Sequence, residues 1–446
     1  MEEIGSKSHV VVLPFPIQGH INPMVQFSKR LASKGVKVTI PIIESVCKSM
    51  PIMDSASIKI ESIPHDEFPP DPDLLEWLRV LMSNNLTQIV EKLSDSEYPV
   101  KVLLFDSTTT WAIDLAHQLG LKGAAFFTQS CSLSAIYYHM DPEKSKIPLD
   151  GSDVSLPSLP LLEKDDLPSF VYESDVYPSL ARLAFSQNIN FEGADWLFFN
   201  TFDALEMEVI DWLRTRYTIK TIGPTVPSMY LDKRLKDDKE YGSSLFKPNS
   251  ETCMKWLDSR EIGSVVYVSF GSLASLGEKQ MEELAWGLIM SNNYFLWVVR
   301  AAEENKIPVE LMSKLSEKGL IVNWCPQLDV LAHRAIGCFF THCGWNSTLE
   351  ALSLGVPMIG MPQWTDQPTN AKFISDVWQT GVRVKARENG VIITRKEIAS
   401  SIREVMEEEK GVMLKENAIK WKKLAKEAVD EGGSSDKNIE EFLSNL

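Results

Sequence analysis

Two residues in the first quarter of the chain have the types and positions of a catalytic base and the group that orients it. His20 follows a short apolar strand at 10–13, and Asp106 ends another at 100–105. The carboxyl ends of parallel strands meet at one edge of a sheet, so these side chains can come within hydrogen-bonding distance. A neutral imidazole accepts a proton near pH 7, and a carboxylate fixes its tautomer. Each residue also has a structural interpretation, His20 as a packed side chain and Asp106 as the cap of a helix at 107–111.

A second arrangement with chemical potential lies near residue 340. The apolar strand 338–341 leads into a turn at 342–344, and a helix is predicted to open at Ser347 and to close at Gly355. The N–H groups at a helix start, together with the positive end of the helix dipole, bind anions such as phosphates. The sequence therefore predicts an anion site at this turn.

The overall charge excludes some classes of partner. The 446 residues include 45 Lys and Arg against 61 Asp and Glu, which gives a formal net charge of −16. Such a field repels nucleic acid and acidic membrane surfaces, so neither is expected as a partner. An anionic ligand is expected to bind only at a local anion site, such as a helix N-terminus.

Cysteine usage and the N-terminus indicate a cytoplasmic location. No two of the six cysteines form a C-x-x-C pair, and free thiols in a reducing compartment are expected. The first nine residues lack the basic flank and long apolar region of a signal peptide. No apolar run reaches the roughly 18–20 residues that span a bilayer. We expect a cytoplasmic monomer.

Short apolar strands alternate with amphipathic helices along the whole chain, which predicts parallel sheets covered on both faces. Strands of a first series are predicted at 10–13, 36–40, 100–105, 123–127 and 195–199, with helices at 22–33, 111–118 and 130–140. Strands of a second series are predicted at 265–270, 295–299, 319–322, 338–341 and 356–361, with a helix at 278–291. A proline-rich and charged region separates the two series, and a charged helical tail is predicted from about residue 412 to the end. The expected fold is α/β, two tandem Rossmann-like doubly wound domains with the active site in the cleft between them.

The chain resembles the plant secondary-product UDP-dependent glycosyltransferases (family 1, GT-B fold). The resemblance is carried by 44 residues from Trp324 to Gln367, WCPQLDVLAHRAIGCFFTHCGWNSTLEALSLGVPMIGMPQWTDQ, which match the family's signature box. The resemblance also includes the segment PFPIQGHINP near the start of the chain. SLPSLPLLEKDDLPSF, from Ser155, is similar to the subgroup that glucosylates carboxylic acids, steroids and triterpenoids. A box of this length is a specific signal, unlike a short pattern.

The resemblance implies UDP-glucose as co-substrate, with no cofactor and no metal. Trp324 stacks on uracil in the family, and Glu350 accepts hydrogen bonds from the ribose hydroxyls. From spacing alone, Glu350 has an equally good interpretation as a capping box with Ser347. The residues implied to bind UDP-sugar are Gly19, Thr128, Ser272, Trp324, Cys325, Gln327, His342, Gly344, Trp345, Asn346, Ser347, Glu350, Asp366 and Gln367.

The implied reaction is an inverting O-glucosyl transfer. His20 acts as the base and Asp106 orients it, so that an acceptor oxygen attacks the anomeric carbon opposite UDP and gives a β-glucoside. Asp366 and Gln367 are expected to read the sugar hydroxyls, Gln367 through an amide that both donates and accepts.

The acceptor is expected to be small and hydrophobic: a steroid, triterpenoid, phenolic or carboxylic acid. Apolar or aromatic stretches at 15–18, 74–78, 136–140 and 170–176 are predicted to line its pocket. The acceptor-binding candidates are Phe15, Ile17, Gln18, Trp77, Ile136 and Trp364. The predicted organisation is an N-terminal acceptor-binding domain at 1–222, a linker at 223–252, a UDP-sugar-binding domain at 253–425, and a helical tail at 426–446 that packs on the N-terminal domain.

Three other interpretations have less support in the sequence. Asp71 and Asp73 form a D-x-D pattern that holds a metal in another glycosyltransferase architecture, but here the pattern lies in a proline-rich loop typical of a turn. A glycoside hydrolase needs two carboxylates astride the bond, and only Asp106 is a candidate. A non-catalytic protein that binds nucleotide sugar should lack the base or its aspartate, and both are present.

Overall fold

A computed structural model describes residues 8–49, 55–65, 74–141, 152–173, 175–241, 248–385 and 392–446. The chain divides into two compact units. The first comprises Met1–Leu161, Phe170–Leu245 and Lys426–Leu446, and the second comprises Leu162–Ser169 and Phe246–Ala425. The first unit therefore takes in most of the segment expected as a linker, and Leu162–Ser169 belongs to the second unit although its neighbours in sequence belong to the first.

The first unit is built on a parallel sheet of seven strands in the order β3-β2-β1-β4-β5-β6-β7. Its central strand β1 reads HVVVL and is buried along its length. Val10 and Val12 pack on one face of the sheet, while Val11 and Leu13 pack on the other. The strands are β1 His9–Leu13, β2 Lys37–Ile43, β3 Ile58–Ile63, β4 Val100–Asp106, β5 Lys122–Phe127, β6 Trp196–Phe199 and β7 Ile219–Thr221.

Helices cover both faces of this sheet, which is why the central strands can be apolar throughout. The helices of this part of the chain are α1 Gln18–Ser33, α2 Glu44–Ser49, α3 Leu74–Ser94, α4 Ala112–Gln118, α5 Cys131–His139, α6 Ser169–Tyr172, α7 Pro178–Ser186, α8 Asn190–Gly193 and α9 Met207–Arg214. Ser169, the first residue of α6, belongs to the second unit.

The second unit repeats the architecture with a parallel sheet of six strands in the order β10-β9-β8-β11-β12-β13. The strands are β8 Val265–Ser269, β9 Tyr294–Val298, β10 Gly319–Val322, β11 Ile336–Thr341, β12 Met358–Gly360 and β13 Gly381–Arg383. The helices are α10 Ser250–Asp258, α11 Glu278–Ser291, α12 Met312–Lys318, α13 Gln327–Ala332, α14 Trp345–Leu354, α15 Gln367–Lys372, α16 Arg395–Met406 and α17 Glu409–Val429. A π-helical turn at Phe373–Val377 follows α15.

Two parallel α/β sheets confirm the predicted fold class. The predicted tail is instead two helices, because α17 ends at Val429 and α18, Ser434–Ser444, starts after a glycine pair at 432–433. The sequence analysis did not predict β3, because its polar residues alternate with apolar ones after a stretch without a clear period. It also missed β7 and β13, which are only three residues long. No helix formed by the described residues combines the length and the apolar character needed to cross a membrane.

The C-terminal helix α18 is part of the core of the first unit. Phe442 is fully buried there, with its ring 5.0 Å from that of Phe198 and 5.3 Å from that of Trp196. Ser435 donates to the carbonyl oxygen of Gly223 at 2.6 Å, which fixes the start of the helix. The end of the chain thus closes one face of the first sheet.

We expect Phe442→Ala to lower the free energy of unfolding of the first unit by about 3–5 kcal/mol, because it leaves a cavity in a packed aromatic cluster. Urea denaturation would measure the change. Ile419→Ala, at a position 54% exposed in α17, is the control and should cost much less. A loss below about 1 kcal/mol for Phe442→Ala would show that α18 is not an integral part of this core.

Candidate active site

The order of strands in the first sheet reverses between β1 and β4, and ligand sites of doubly wound sheets form at such reversals. The two strands pair in parallel with Leu13 beside Phe105. His20 lies in the first turn of α1, which follows β1, and Asp106 is the last residue of β4. The fold therefore brings both residues to the same edge of the sheet.

His20 and Asp106 form a direct hydrogen bond. Nδ1 of His20 lies 2.6 Å from Oδ2 of Asp106, and the hydroxyl of Thr128 lies 3.2 Å from the same nitrogen. The aspartate side chain is fully buried, whereas that of His20 is 23% exposed. When Nδ1 carries the proton and donates it to the carboxylate, Nε2 carries the lone pair that a base needs.

Asp106 does not cap a helix at 107–111, because the helix that follows starts at Ala112. Its Oδ1 instead accepts from the backbone N–H of Thr108 at 2.9 Å and from the hydroxyl of Thr108 at 2.6 Å. These bonds fix the carboxylate and leave Oδ2 directed at His20. One oxygen of Asp106 thus holds the turn at Thr108, and the other holds His20.

The second sheet reverses its strand order between β8 and β11, where Ser269 pairs with Thr341. Helix α14 starts directly after the turn that follows β11, and Gly344 is its N-cap in an extended conformation. Gly344 has no side chain with which to cap this end of the helix. The N–H groups of a helix's first turn have no carbonyl acceptor within the helix, which suits an anion.

The predicted capping box between Ser347 and Glu350 is wrong. The helix opens at Trp345, two residues earlier than expected, so Ser347 already lies inside its first turn. Both side chains accept from the amide of Gln327 instead, with Nε2 lying 2.9 Å from Oγ of Ser347 and 2.6 Å from Oε2 of Glu350. Gln327 in turn accepts a hydrogen bond from the buried hydroxyl of Tyr267 at 2.9 Å.

His342 sits between two glycines that make room for its ring. A Cβ added to Gly271, which has φ +70°, would come within 2.9 Å of the imidazole, and one added to Gly344 within 2.6 Å of Nε2. Burial lowers the pKa of His342 to about 4, and a contact with the backbone of Ser269 opposes this only in part. Nδ1 is buried without a hydrogen bond of ordinary geometry to the described residues. His342 is therefore a neutral N–H donor at pH 7.

Trp324 and Cys325 follow strand β10. The Trp324 side chain is half-buried, and its carbonyl accepts from the N–H of Asn249 at 3.0 Å. Cys325 is buried with its sulfur 3.2 Å from the hydroxyl of Tyr267. Tyr267 thus contacts both Cys325 and Gln327, and sequence reasoning missed it because a tyrosine inside a strand has no feature that separates it from the core.

Gln367 and Asp366 lie at the start of α15. The side-chain oxygen of Gln367 accepts from the N–H groups of Gln363, at 2.9 Å, and Trp364, at 3.2 Å. These two bonds orient the amide, and its reading of the sugar hydroxyls stays a prediction. Asp366 accepts from Asn370 at 2.7 Å, and Asn370 also donates to the carbonyl of Cys343 at 2.9 Å. Asn370, which sequence reasoning missed, thus joins the Asp366 loop to the turn before α14.

The other residues predicted from the signature box lie near the same turns. Ser272 follows β8, and Arg300, which sequence reasoning also missed, donates to its backbone carbonyl. Trp345 is buried with its ring 6.1 Å from that of Trp378, and Asn346 is partly exposed in the first turn of α14. Gly19 is exposed in the first turn of α1, in the first unit.

The residues expected to bind the acceptor differ in burial, and they do not all belong to the same unit. The ring of Phe15 packs 5.5 Å from that of His20, and Trp77 packs against His65. Ile17 is the N-cap of α1, and Oε1 of the next residue, Gln18, is buried without a hydrogen-bond donor among the described residues. Ile136 is fully buried in α5. Trp364 belongs to the second unit.

A small apolar pocket of about 10 Å³ lies beside β1 in the first unit. Thr109 contributes the one hydroxyl of its lining, and that hydroxyl is bonded to the carbonyl of Asp106 at 2.7 Å. Sequence reasoning identified two of the lining residues, Pro16 in the stretch 15–18 and Leu78 in the stretch 74–78. Further lining residues are Leu13, Pro14, Ile21 and Trp111.

Within the described part of the chain, no group of three or more His, Cys, Asp or Glu side chains is placed to hold a metal ion. Asp71 and Asp73, the D-x-D pair, lie outside the described residues.

Comparisons with known proteins cover almost the whole chain. A family model described as "UDP-glucoronosyl and UDP-glucosyl transferase" matches residues 204–429, and one described as "Glycosyltransferase, N-terminal domain" matches 6–41. UDP glycosyltransferase 9 of Catharanthus roseus is 52% identical over 98% of this chain and 97% of its own length. Mogroside I-E synthase of Siraitia grosvenorii is 50% identical over 98% of both chains. The crystal structure of Os79 from O. sativa in complex with UDP is 37% identical, covers 98% of this chain and 99% of its own, and has a TM-score of 0.90.

The lowered pKa of His342 makes the stability of the second unit depend on pH. Between its ordinary value of 6.5 and about 4, the unfolded chain binds a proton at this position and the folded chain does not. The free energy of unfolding should therefore fall as the pH is lowered through this window, by about 2 kcal/mol at pH 5 from His342 alone. Urea denaturation at pH 7.5 and 5 should show that His342→Gln loses this part of the acid sensitivity. An equal acid sensitivity in both proteins would contradict a neutral imidazole.

Proposed function

Because the chain belongs to the family of UDP-glucuronosyl and UDP-glucosyl transferases, we propose that it transfers glucose from UDP-glucose to an oxygen of a small apolar acceptor, with inversion at the anomeric carbon. The observation that carries this proposal is the 2.6 Å hydrogen bond between His20 and Asp106 at the strand reversal of the first sheet. A glycoside hydrolase would need, besides Asp106, a second carboxylate on the other side of the glycosidic bond.

The proposed reaction is a single displacement. Nε2 of His20 takes the proton of the acceptor hydroxyl while the oxygen forms a bond to the anomeric carbon. The bond from that carbon to the diphosphate oxygen breaks, and UDP leaves with the electron pair. Asp106 stabilises the imidazolium that forms, as the aspartate of a hydrolase triad does. The products are a β-glucoside and UDP, and the proton returns to solvent.

The second unit is proposed to hold the donor. The half-buried ring of Trp324 stacks on uracil, and Glu350, oriented by Gln327, accepts from the ribose hydroxyls. His342 donates to the diphosphate as a neutral group, alongside the first turn of α14 and the turn at Ser272. At the sugar, Asp366 accepts and the amide of Gln367 donates. Neutral donors and a helix dipole are sufficient for a diphosphate, so the reaction is proposed to need no metal.

The first unit is proposed to bind the acceptor. The apolar side chains beside β1 favour a hydrophobic acceptor, and the buried Oε1 of Gln18 favours a hydroxyl or other donor on it. Triterpenoids and steroids fit this description, and the relative from Siraitia grosvenorii is a mogroside I-E synthase. Phenolics and carboxylic acids are the smaller alternatives. All six cysteines are unpaired, which supports a reducing cytoplasm, and we propose that the protein acts as a monomer.

A panel of apolar acceptors incubated with UDP-glucose would test the proposal. The expected result is a mass gain of one hexose on at least one acceptor, with UDP released in equal amount and only when that acceptor is present. Release of UDP without acceptor, or no release with any of them, would contradict acceptor-dependent transfer.

We expect His20→Ala to lower turnover of an alcohol acceptor by about 10²–10⁴-fold, because a general base contributes that much. The affinity for UDP should stay nearly unchanged, and calorimetry would measure it. His117→Ala is the matched control in the same unit, since His117 also pairs with an aspartate, Asp195 at 3.2 Å, but is half-exposed. Near wild-type turnover by His20→Ala would end its assignment as the base.

Activity should survive an excess of EDTA, because backbone N–H groups and neutral side chains stabilise the leaving diphosphate. Initial rates with and without EDTA would be compared at fixed UDP-glucose. Loss of activity that Mg²⁺ or Mn²⁺ restores would contradict the proposal and would direct attention to Asp71 and Asp73.

A further inference from the structure

A segment from the middle of the sequence, Leu162–Ser169, is part of the second unit and is hydrogen-bonded there to Thr365 and Thr369. We call this segment the strap. It corresponds to the second half of the SLPSLPLLEKDDLPSF motif that begins at Ser155. Neither the proposed base nor the proposed donor site accounts for it.

Asp166 anchors the strap. It is buried, with Oδ1 2.6 Å from Nη1 of Arg383 and Oδ2 3.3 Å from Nζ of Lys372. Its backbone carbonyl accepts from the hydroxyl of Thr369, in α15, at 2.7 Å. A buried carboxylate is stable only when such partners replace its lost hydration, so these contacts hold the strap in one position.

Ser169, at the end of the strap, holds the backbone of Thr365. The N–H of Thr365 donates to the hydroxyl oxygen of Ser169 at 2.7 Å, and the N–H of Ser169 donates to the carbonyl of Thr365 at 3.0 Å. Ser169 itself is 2% exposed. The two residues are thus joined by a pair of reciprocal bonds.

Thr365 needs this support because its backbone is strained. Its φ of +59° lies in the left-handed region, which is unfavourable for a β-branched residue. The strained residue directly precedes Asp366, and its hydroxyl donates to Oδ1 of Asp366 at 2.7 Å. The backbone at 363–364, which the Gln367 side chain holds, belongs to the same loop.

We infer that Ser169 is a positioning residue for glucosyl transfer, which keeps Thr365 in its strained conformation and so presents Asp366 and Gln367 to the sugar. This rests on the proposed function, in which those two residues read the sugar hydroxyls. Ser169 acts on the sugar end of the proposed donor site.

The test compares Ser169→Ala with the wild type in two measurements, after wild-type turnover of UDP-glucose has been established. We expect kcat/KM for UDP-glucose to fall about tenfold, because the N–H of Thr365 loses its acceptor. The Kd for UDP should change less than about twofold, since UDP lacks the sugar. Ser316→Ala, an exposed serine of α12, is the matched control and should change neither.

A second variant separates positioning from general destabilisation. Asn tolerates a positive φ better than Thr, so adding Thr365→Asn to Ser169→Ala should restore at least half of the lost kcat/KM. An unchanged kcat/KM in Ser169→Ala, an equal loss of UDP affinity, or no recovery in the double variant would each overturn the inference. Absence of turnover in the wild type would instead contradict the proposed function.

Discussion

Right-handed crossovers add parallel strands to a sheet outward from one central strand. Where the strand order reverses, the loops on either side turn away from each other and leave a crevice between them. Each unit of this protein has one such reversal, between β1 and β4 and between β8 and β11. The chemistry-bearing residues lie at these two positions. His20 and Asp106 follow the first pair of strands, and the turns at Ser272 and His342 follow the second. Their placement is therefore a consequence of strand order and not of the loops alone.

A chain with a net charge of −16 uses little positive charge at the site proposed for a diphosphate. The groups proposed to bind it are the start of α14 and a neutral His342, whose ring fits only because residues 271 and 344 are glycines. Arg300 donates to the carbonyl of Ser272. Preorganised dipoles of this kind stabilise charge without reorganisation during the reaction.

The sequence predicted the fold class and the pairing of His20 with Asp106, because apolar strands and the residues that end them are local signals. The family resemblance is confirmed by the family model and by relatives that cover the whole chain. The contacts that orient the predicted residues could not be found this way. Tyr267 and Ser169 lie 60 and 196 positions from the residues they hold, and no periodic pattern links polar residues at such separations. Asn370 lies one helical turn from Asp366, but its second bond reaches the carbonyl of Cys343, 27 positions away, which no local pattern indicates. The start of α14 was misplaced because a capping pattern competed with a glycine N-cap.

The central claim is that a hydroxyl deprotonated at His20 displaces UDP in one step. Proton NMR of the glucoside formed from UDP-glucose tests this most directly, because an O-glucoside keeps its anomeric configuration once formed. A single displacement inverts the α-linked donor, so the anomeric proton should show the large coupling of a β-glucoside from the first turnovers onward. An α-glucoside as the first product would contradict the account, because retention requires a covalent intermediate or front-face attack that this arrangement of base and carboxylate does not provide.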